Sequence, residues 1–139
     1  MANDFPLDFK SLRPNGGPNQ WLVLPPGFAA AAAPQAESPV FSVAPRVLMQ
    51  AVKQLATAEP RTELVHGDAG NGQAEFVARS RVFRFPDRIT VAVFAMPGGA
   101  DQSALAVWSR AVYGRRDFGV NRARVERWLA RLSERFGHA

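Results

Sequence analysis

The chain has 139 residues, no cysteine and a formal net charge of +5. This length fits one domain with a hydrophobic core, and the lack of cysteine excludes disulfides, thiolate metal sites and a cysteine nucleophile. Eight arginines and three acidic residues lie between positions 110 and 139, so this segment carries the whole net charge. Arginine has a forked head that suits carboxylate and phosphate, which favours an anionic partner, although a mutational bias towards arginine is the alternative.

The first forty residues are rich in proline, glycine and asparagine. Proline fixes φ and removes a backbone donor, so residues 1–40 are predicted to form an extended N-terminal arm and linker ahead of a single domain over 41–139. The run Trp21 to Leu24 within this arm fits either a short edge strand or an extended segment.

The beginning of the chain does not look like a targeting segment. Asp4 and Asp8 stand where a secretory signal needs a basic end followed by an apolar run. No apolar stretch reaches the roughly 20 residues that span a bilayer. We therefore expect a soluble, cytoplasmic protein.

The order of apolar and turn residues predicts the fold class. Helical spacing predicts helices over about 46–58 and about 120–136. Four runs between them have strand character and are separated by turn residues: 62–68, 73–85, 88–96 and 103–112. Short connections favour antiparallel neighbours. We therefore predict an α+β fold, with an antiparallel sheet of about four strands and both helices packed on one face.

The last predicted helix carries an arginine stripe beside its apolar face. At about 100° per residue, one side is apolar: Val125, Leu129, Leu132 and Phe136. The arginine stripe lies next to it, with Trp128 on the border: Arg124, Arg127, Arg131 and Arg135. The stripe is either a solvated face or a surface for an anionic partner.

Three familiar chemistries have weak support. The run GDAGNG, over 67–72, lacks the Gly-Lys-Ser/Thr ending of a phosphate loop and is interpreted as a hairpin connection. His66 and Asp68 would give a metal only two ligands, and His138 lies in the tail, so no metal site and no cofactor are predicted. Ser109 is outside a Gly-x-Ser-x-Gly elbow, so no catalytic residue is assigned.

A proline-aspartate pair precedes the third predicted strand. Asp87 follows Pro86, and its carboxylate is expected to accept backbone N–H bonds within a turn. Pairing with an arginine from elsewhere in the chain is the alternative.

The segment SRAVYGRRDFGVNRARVERW, over 109–128, leads from the last predicted strand into the last helix. Strand alternation places Trp108 and Arg110 on one face and Ser109 on the other. Gly114 and Gly119 suit a tight loop between the two elements.

We call residues 109–124, where the last predicted strand turns into the last helix, the corner. Two interpretations of this corner remain open. In the structural one, Asp117 caps the helix, pairs with Arg110 or Arg124 and locks the loop, helped by a hydrogen bond of Asn121. In the functional one, the helix N-terminus, Ser109 and the arginines converge on a phosphate or carboxylate. The two interpretations are compatible.

The sequence of the corner also resembles that of a known family. The pattern S-R-x-x-x-G-x-x-D-x-G-x-N-R-x-R is similar to that of domain-of-unknown-function family 1499, found in bacteria and plastids; it is formed by Ser109, Arg110, Gly114, Asp117, Gly119, Asn121, Arg122 and Arg124. Phe85-Pro86-Asp87 and the PNQWL stretch after Gly17 are similar to weaker upstream motifs, and the resemblance covers about residues 18–135.

The resemblance implies no activity, cofactor or catalytic residue. Many members carry an N-terminal membrane or export segment and a cysteine near the position of Asn19; the present sequence shows neither.

Our leading hypothesis is a non-enzymatic module that binds a protein partner, as in a larger complex, or a small anionic ligand. The candidate binding residues are Ser109, Arg110, Arg115, Arg116, Asn121, Arg122, Arg124, Arg127 and Arg131, and the corner is shaped by Gly114, Asp117 and Gly119. The first alternative is a small enzyme with a pocket between the sheet and the last helix that uses Asp117, Arg110 and Asn121. The second is nonspecific nucleic-acid binding by the arginine stripe, which Glu126 and Glu134 interrupt.

Overall fold

A computed structural model gives the fold and describes residues 5–14, 17–68, 70, 72–114 and 118–137. Two helices lie in these ranges: α1, Pro45–Thr57, and α2, Val120–Phe136. Six strands accompany them: β1, Gln20–Leu24; β2, Ala36–Glu37; β3, Thr62–Asp68; β4, Gln73–Arg79; β5, Pro86–Ala95; and β6, Ser103–Ala111. Neither of the two described helices has the length and apolar character that a bilayer crossing requires.

The two predicted helices are confirmed. α1 starts with Pro45, whose fixed φ and missing N–H suit the first turn of a helix. α2 follows Gly119, which has a left-handed φ of 81°. A residue with a side chain is strained in this conformation, so glycine allows the sharp entry into α2.

The six strands form one sheet in the order β2-β1-β6-β5-β4-β3. β1 and β2 pair parallel, and the other neighbours pair antiparallel. The α+β class is confirmed, but the prediction of about four antiparallel strands is wrong. Both additional strands come from the segment expected to be an irregular arm. β1 lies between β2 and β6 rather than at an edge, and its apolar run is buried on both faces, as is usual for an inner strand.

Both helices pack on one face of the sheet, as predicted. Strand alternation turns a set of apolar residues towards them: Val23, Phe76, Ile89, Val91, Leu105 and Val107. The helices contribute Leu48, Val52, Val125, Trp128 and Leu132. Burying a large apolar side chain contributes about 1.5–3 kcal/mol, so this layer is the main source of stability.

Part of the opposite face of the sheet is covered by the first described residues. Phe9 and Leu12 are buried against Leu22 and Leu24, which alternation turns away from the helices. The backbone N–H of Leu7 donates to the side chain of Gln73 at 2.9 Å and ties this segment to β4. The N-terminal segment therefore shields apolar residues that the helices leave exposed.

The connection between β4 and β5 differs from the predicted one. Residues 73–85 were predicted as one strand, but β4 ends at Arg79, and Pro86 is already paired with Arg79 in β5. The N–H of Phe85 donates to Ser80 Oγ at 2.9 Å, and the N–H of Ser80 donates to Phe85 O at 3.0 Å. Arg84 has a φ of 62°, which turns the chain where the alternating sequence favours extension.

Candidate functional site

A buried hydrogen-bond cluster holds the corner between β6 and α2. Ser109 Oγ donates to Asn121 Oδ1, and both oxygens accept from Arg124 Nη1, at 3.1 and 2.8 Å. All three residues are buried, because Ser109 lies on the helix-facing side of β6 and the other two lie on the inner side of α2. Buried polar groups need partners, and here each supplies the others. The cluster fixes the start of α2 on the end of β6.

Asp87 supplies the opposite charge at this corner. Arg124 Nη2 lies 3.0 Å from Asp87 Oδ2, and the two side chains are only 9% and 16% exposed. The turn interpretation of Asp87 is wrong, because this residue lies in β5 in register with Ala111 of β6. The alternative, a pair with a distant arginine, is confirmed. Such a pair is screened much less than one on the surface.

Asn19 joins the start of β1 to the same corner. Its Nδ2 donates to Gly114 O at 2.7 Å, and its own carbonyl oxygen accepts from Asn121 Nδ2 at 3.2 Å and from the N–H of Ala111 at 3.0 Å. Gly114 has a φ of 88°, a left-handed conformation that favours glycine. The PNQWL and C-terminal motifs therefore meet in space.

Arg110 lies on the other face of the sheet from Ser109. Its Nη1 donates to Thr90 Oγ1 at 2.8 Å and to Trp108 O at 2.9 Å, and its guanidinium stacks on the Trp108 ring, 4.0 Å from the centroid. Glu75 Oε1 lies 4.0 Å from its Nη2. The candidate residues for anion binding are thus divided between two faces, and Arg110 does not join the corner.

Part of the predicted loop lies outside the described residues. This applies to Arg115, Arg116 and Asp117, and also to His138 in the tail. The predicted contacts of Asp117 are therefore not described. Among the described residues, Asp87 forms the ion pair with Arg124.

The arginine stripe of α2 is largely engaged within the chain, and its first member is buried in the corner. Arg127 donates to both carboxylate oxygens of Glu59, at 2.6 and 2.8 Å. Arg135 donates to Gln54 Oε1 at 2.9 Å. Arg131 is exposed, and no hydrogen bond or ion pair connects it to the part of the chain that the structure describes. The stripe is therefore not a row of unpaired cations.

Arg122 lies on the neighbouring side of α2. Its Nε is 3.2 Å from Glu126 Oε2, one turn further on, and its guanidinium lies 4.7 Å from the centroid of the Trp21 ring. A small cleft of about 180 Å³ is lined by Arg122, Trp21 and Gln35, among others. The ion pair is well exposed, so it contributes less than about 1 kcal/mol.

The Glu59 carboxylate is a titrating group between the helices. Burial raises its pKa, but hydrogen bonds from Arg127 and Trp128 outweigh burial, and the pKa lies below its ordinary value of 4.5. The hydrogen bond to Glu59 correspondingly raises the pKa of Arg127 above its ordinary value. Glu59 follows α1 and its partners lie on α2, so this contact links the two helices.

An open cleft of about 320 Å³ lies beside the corner. It is lined by Arg61, Arg79, Ser80, Phe85, Asp87, Ala111, Tyr113, Val120 and Arg124. Three arginines and a single aspartate leave this lining positively charged. A concave site with this charge suits a phosphate or a carboxylate.

Arg61 and Arg79 are the arginines of the cleft that keep hydrogen-bonding capacity. Arg61 Nε donates to Arg79 O at 3.0 Å, and Arg79 Nη1 lies 3.4 Å from Arg84 O. Neither has a carboxylate partner within the described ranges. A guanidinium has five N–H donors, so most of theirs remain for a ligand.

Aromatic side chains border the cleft. Phe85 and Tyr113 line it and meet edge to face with 6.5 Å between ring centroids, and Phe83 stacks on Phe85 at 5.5 Å. The cleft therefore combines cationic and apolar surfaces. This combination suits a ligand that has an anionic group and an apolar part.

The space between the sheet and α2 is filled. Val107 on β6 packs with Val125, Trp128 and Leu132 of α2 in the main core. Arg110 lies on the far face, so it shares no cavity there with Asn121, which the enzyme hypothesis requires. Within the described residues, no group of three His, Cys, Asp or Glu side chains could hold a metal ion.

The sequence pattern predicts the corner but not the cleft beside it. Arg61, Arg79, Ser80 and Tyr113 come from four separate positions, and none was among the candidate residues. The one local signal was the run RSRVFRF over 79–85, which holds three arginines and no acid but was interpreted as strand.

These features define a small α+β domain with a six-stranded mixed sheet, two helices on one face and an arginine-lined cleft at a strand-to-helix corner. The family model "Protein of unknown function (DUF1499)" matches residues 20–132, and the chain belongs to this family, as the resemblance predicted. Neither a curated protein nor a solved structure matches the chain.

Proposed function

We propose that this protein is a non-enzymatic binding module that holds the phosphate or carboxylate of an anionic ligand in the cleft beside the corner. The observation that carries the proposal is the position of Arg61 and Arg79, two lining arginines without a carboxylate partner in the described part of the chain. Charged hydrogen bonds to such an anion contribute about 1.5–3 kcal/mol each.

The corner supports this role by fixing the shape of the cleft. Arg124 is already neutralised by Asp87, and both residues line the cleft. The anion would therefore be bound by Arg61 and Arg79, while the pair keeps α2 in place. This assignment moves the proposed site from the arginine stripe to the ends of β3, β4 and α2.

The other hypotheses have less support. The internal contacts of Arg127 and Arg135 leave little of the stripe for nucleic acid. The enzyme hypothesis lacks a shared cavity for Arg110 and Asn121, which lie on opposite sides of the sheet. An acidic side chain of a protein partner would use the same two arginines as a small ligand.

Calorimetric titration with inorganic phosphate, glycerol 3-phosphate and citrate tests the proposal. We expect binding to the wild type and an about tenfold weaker affinity for Arg61→Ala and for Arg79→Ala, the result of losing one charged hydrogen bond. Arg46→Ala is the matched control, because it removes an exposed arginine at the start of α1 that does not line the cleft.

Either of two outcomes would contradict the proposal. If none of the three anions binds, or if Arg46→Ala weakens binding as much as Arg79→Ala does, the cleft is not the anion site. Added salt must also weaken binding, because the interaction is between charges.

A further inference from the structure

The exposed large apolar side chains are concentrated around the cleft. Five of the eight found among the described residues lie on two neighbouring connections, and a sixth, Val120, is the first residue of α2; we call these six the aromatic rim: Val82, Phe83, Phe85, Tyr113, Phe118 and Val120. Phe118 is 93% exposed, and Val82 and Phe83 are 76% and 73% exposed. A concentration of this kind marks an interaction surface rather than the scattered apolar residues of an ordinary protein surface.

The aromatic rim and the cleft form one continuous surface. Phe85, Tyr113 and Val120 line the cleft, and Phe83 is joined to it by its stacking on Phe85. Val82 is the chain neighbour of Phe83, and Phe118 lies two residues before Val120. A ligand in the cleft therefore touches the rim as well.

The connection between β4 and β5 also carries positive charge. The run over 79–85 contains Arg79, Arg81 and Arg84 and no acidic residue, and Arg61 contacts the backbone of Arg79. Arginines beside exposed aromatic residues match the boundary of an anionic bilayer, where phosphates lie next to acyl chains.

We infer that this end of the molecule docks onto an anionic lipid surface. The aromatic rim enters the boundary between headgroups and acyl chains, Arg81 and Arg84 lie among the headgroups, and a lipid phosphate occupies the cleft. This inference rests on the proposed anion site for the place of the phosphate, but the rim adds a separate contact of its own.

The position of the exposed side chains favours a bilayer over a folded protein partner. The most exposed side chains, Val82, Phe83 and Phe118, lie on two different connections. A fluid bilayer accommodates such projecting tips without matching their shape. Peripheral binding of this kind grows with buried apolar area and with attraction between cations and anionic lipids.

Vesicle sedimentation with the full chain tests the inference. We expect the wild type to sediment with vesicles of phosphatidylcholine and phosphatidylglycerol, and weakly or not at all with phosphatidylcholine alone. Phe83→Ala is expected to weaken the binding to anionic vesicles by about tenfold and to leave phosphate binding unchanged, because Phe83 does not line the cleft. Val65→Ala, an exposed apolar residue on β3, is the control and is expected to bind like the wild type.

Three results would overturn the docking inference. The first is equal or absent binding to neutral and anionic vesicles. The second is unchanged vesicle binding by Phe83→Ala. The third is a wild type that does not bind vesicles but binds polyglutamate or forms a dimer in solution, when Phe83→Ala abolishes that binding or that dimer. Polyglutamate binding would assign the rim to an acidic protein, and a dimer would assign it to a second copy of the chain.

The phosphate titration separates the two proposals. Phosphate binding without vesicle binding leaves the anion site standing and removes the lipid surface. Vesicle binding that Phe83→Ala weakens, in a protein that does not bind soluble phosphate, would remove the anion site and keep the docking surface.

Discussion

The guanidinium of Arg124 on α2 is bound to the carboxylate of Asp87 on β5, with 3.0 Å between Nη2 and Oδ2. The two residues are 37 positions apart in the chain and both line the cleft. Arg124 also holds Ser109 and Asn121, so one side chain joins β5, β6 and α2. The stability of the corner and the shape of the cleft therefore depend on the same contacts.

The first prediction concerns this ion pair. Asp87→Asn removes the ion-pair partner of the largely buried Arg124, and we expect the free energy of unfolding to fall by about 3 kcal/mol. Urea denaturation followed by circular dichroism measures the change. Glu126→Gln is the control, because it breaks the exposed pair with Arg122, and we expect it to cost less than about 0.5 kcal/mol. Equal effects of the two variants would show that the Asp87 pair is not a structural contact.

The second prediction concerns Asn121, which is fully buried. Asn121→Ala removes the acceptor of Ser109 and Arg124 and the donor to Asn19 O. Leaving these groups without partners is expected to lower the free energy of unfolding by about 2 kcal/mol, and amide exchange at the end of β6 should accelerate.

Gln54→Ala provides the comparison for Asn121→Ala. Gln54 also accepts from an arginine, Arg135, but this contact is exposed. We expect a change within about 0.5 kcal/mol. A loss of the size expected for Asn121→Ala would mean that burial does not set the cost of losing these contacts.

The helices and the corner could be predicted because their signals are local. Helical spacing and flanking prolines and glycines fixed 46–58 and 120–136 within one residue or so, and strand alternation placed Ser109 and Arg110 on opposite faces correctly. The partner of Arg124 could not be read in this way. Nothing local distinguishes a carboxylate that binds a nearby N–H from one that meets an arginine 37 residues away.

Local sequence patterns do not predict the pairing at the sheet edge or the cleft. β1 and β2 lie among prolines that favour an irregular arm, and Gln20–Leu24 is an inner strand only because it pairs with β2 on one side and β6 on the other. The run over 79–85 alternates like a strand, whereas tertiary contacts and the left-handed Arg84 make it a hairpin connection. The cleft draws on several distant segments, so its residues share no sequence motif.

The third prediction uses the backbone of this connection. Arg84 has a φ of 62°, where a side chain costs about 1 kcal/mol and glycine does not. Arg84→Gly is expected to raise the free energy of unfolding by about 0.5 kcal/mol, since part of this gain is offset by the freedom of glycine in the unfolded chain. Arg81→Gly removes the same charge without relieving a left-handed φ, and it should lower stability. Thermal unfolding compares the two, and equal losses would contradict the assigned strain.

The fourth prediction concerns pH and the contact between the helices. The pKa of Glu59 is lowered from 4.5 in the folded state, so the unfolded chain takes up a proton first as the pH falls. The stabilisation by Glu59 is therefore complete above its ordinary pKa and is lost as the pH falls through the folded value. Glu59→Gln and Arg127→Ala should each lower the free energy of unfolding by no more than about 1 kcal/mol at neutral pH, because Arg127 is partly exposed. Urea denaturation at neutral pH and at about pH 3 measures the difference in free energy of unfolding between the wild type and each variant. This difference should shrink at the lower pH, and a difference that persists there would contradict the titration of Glu59.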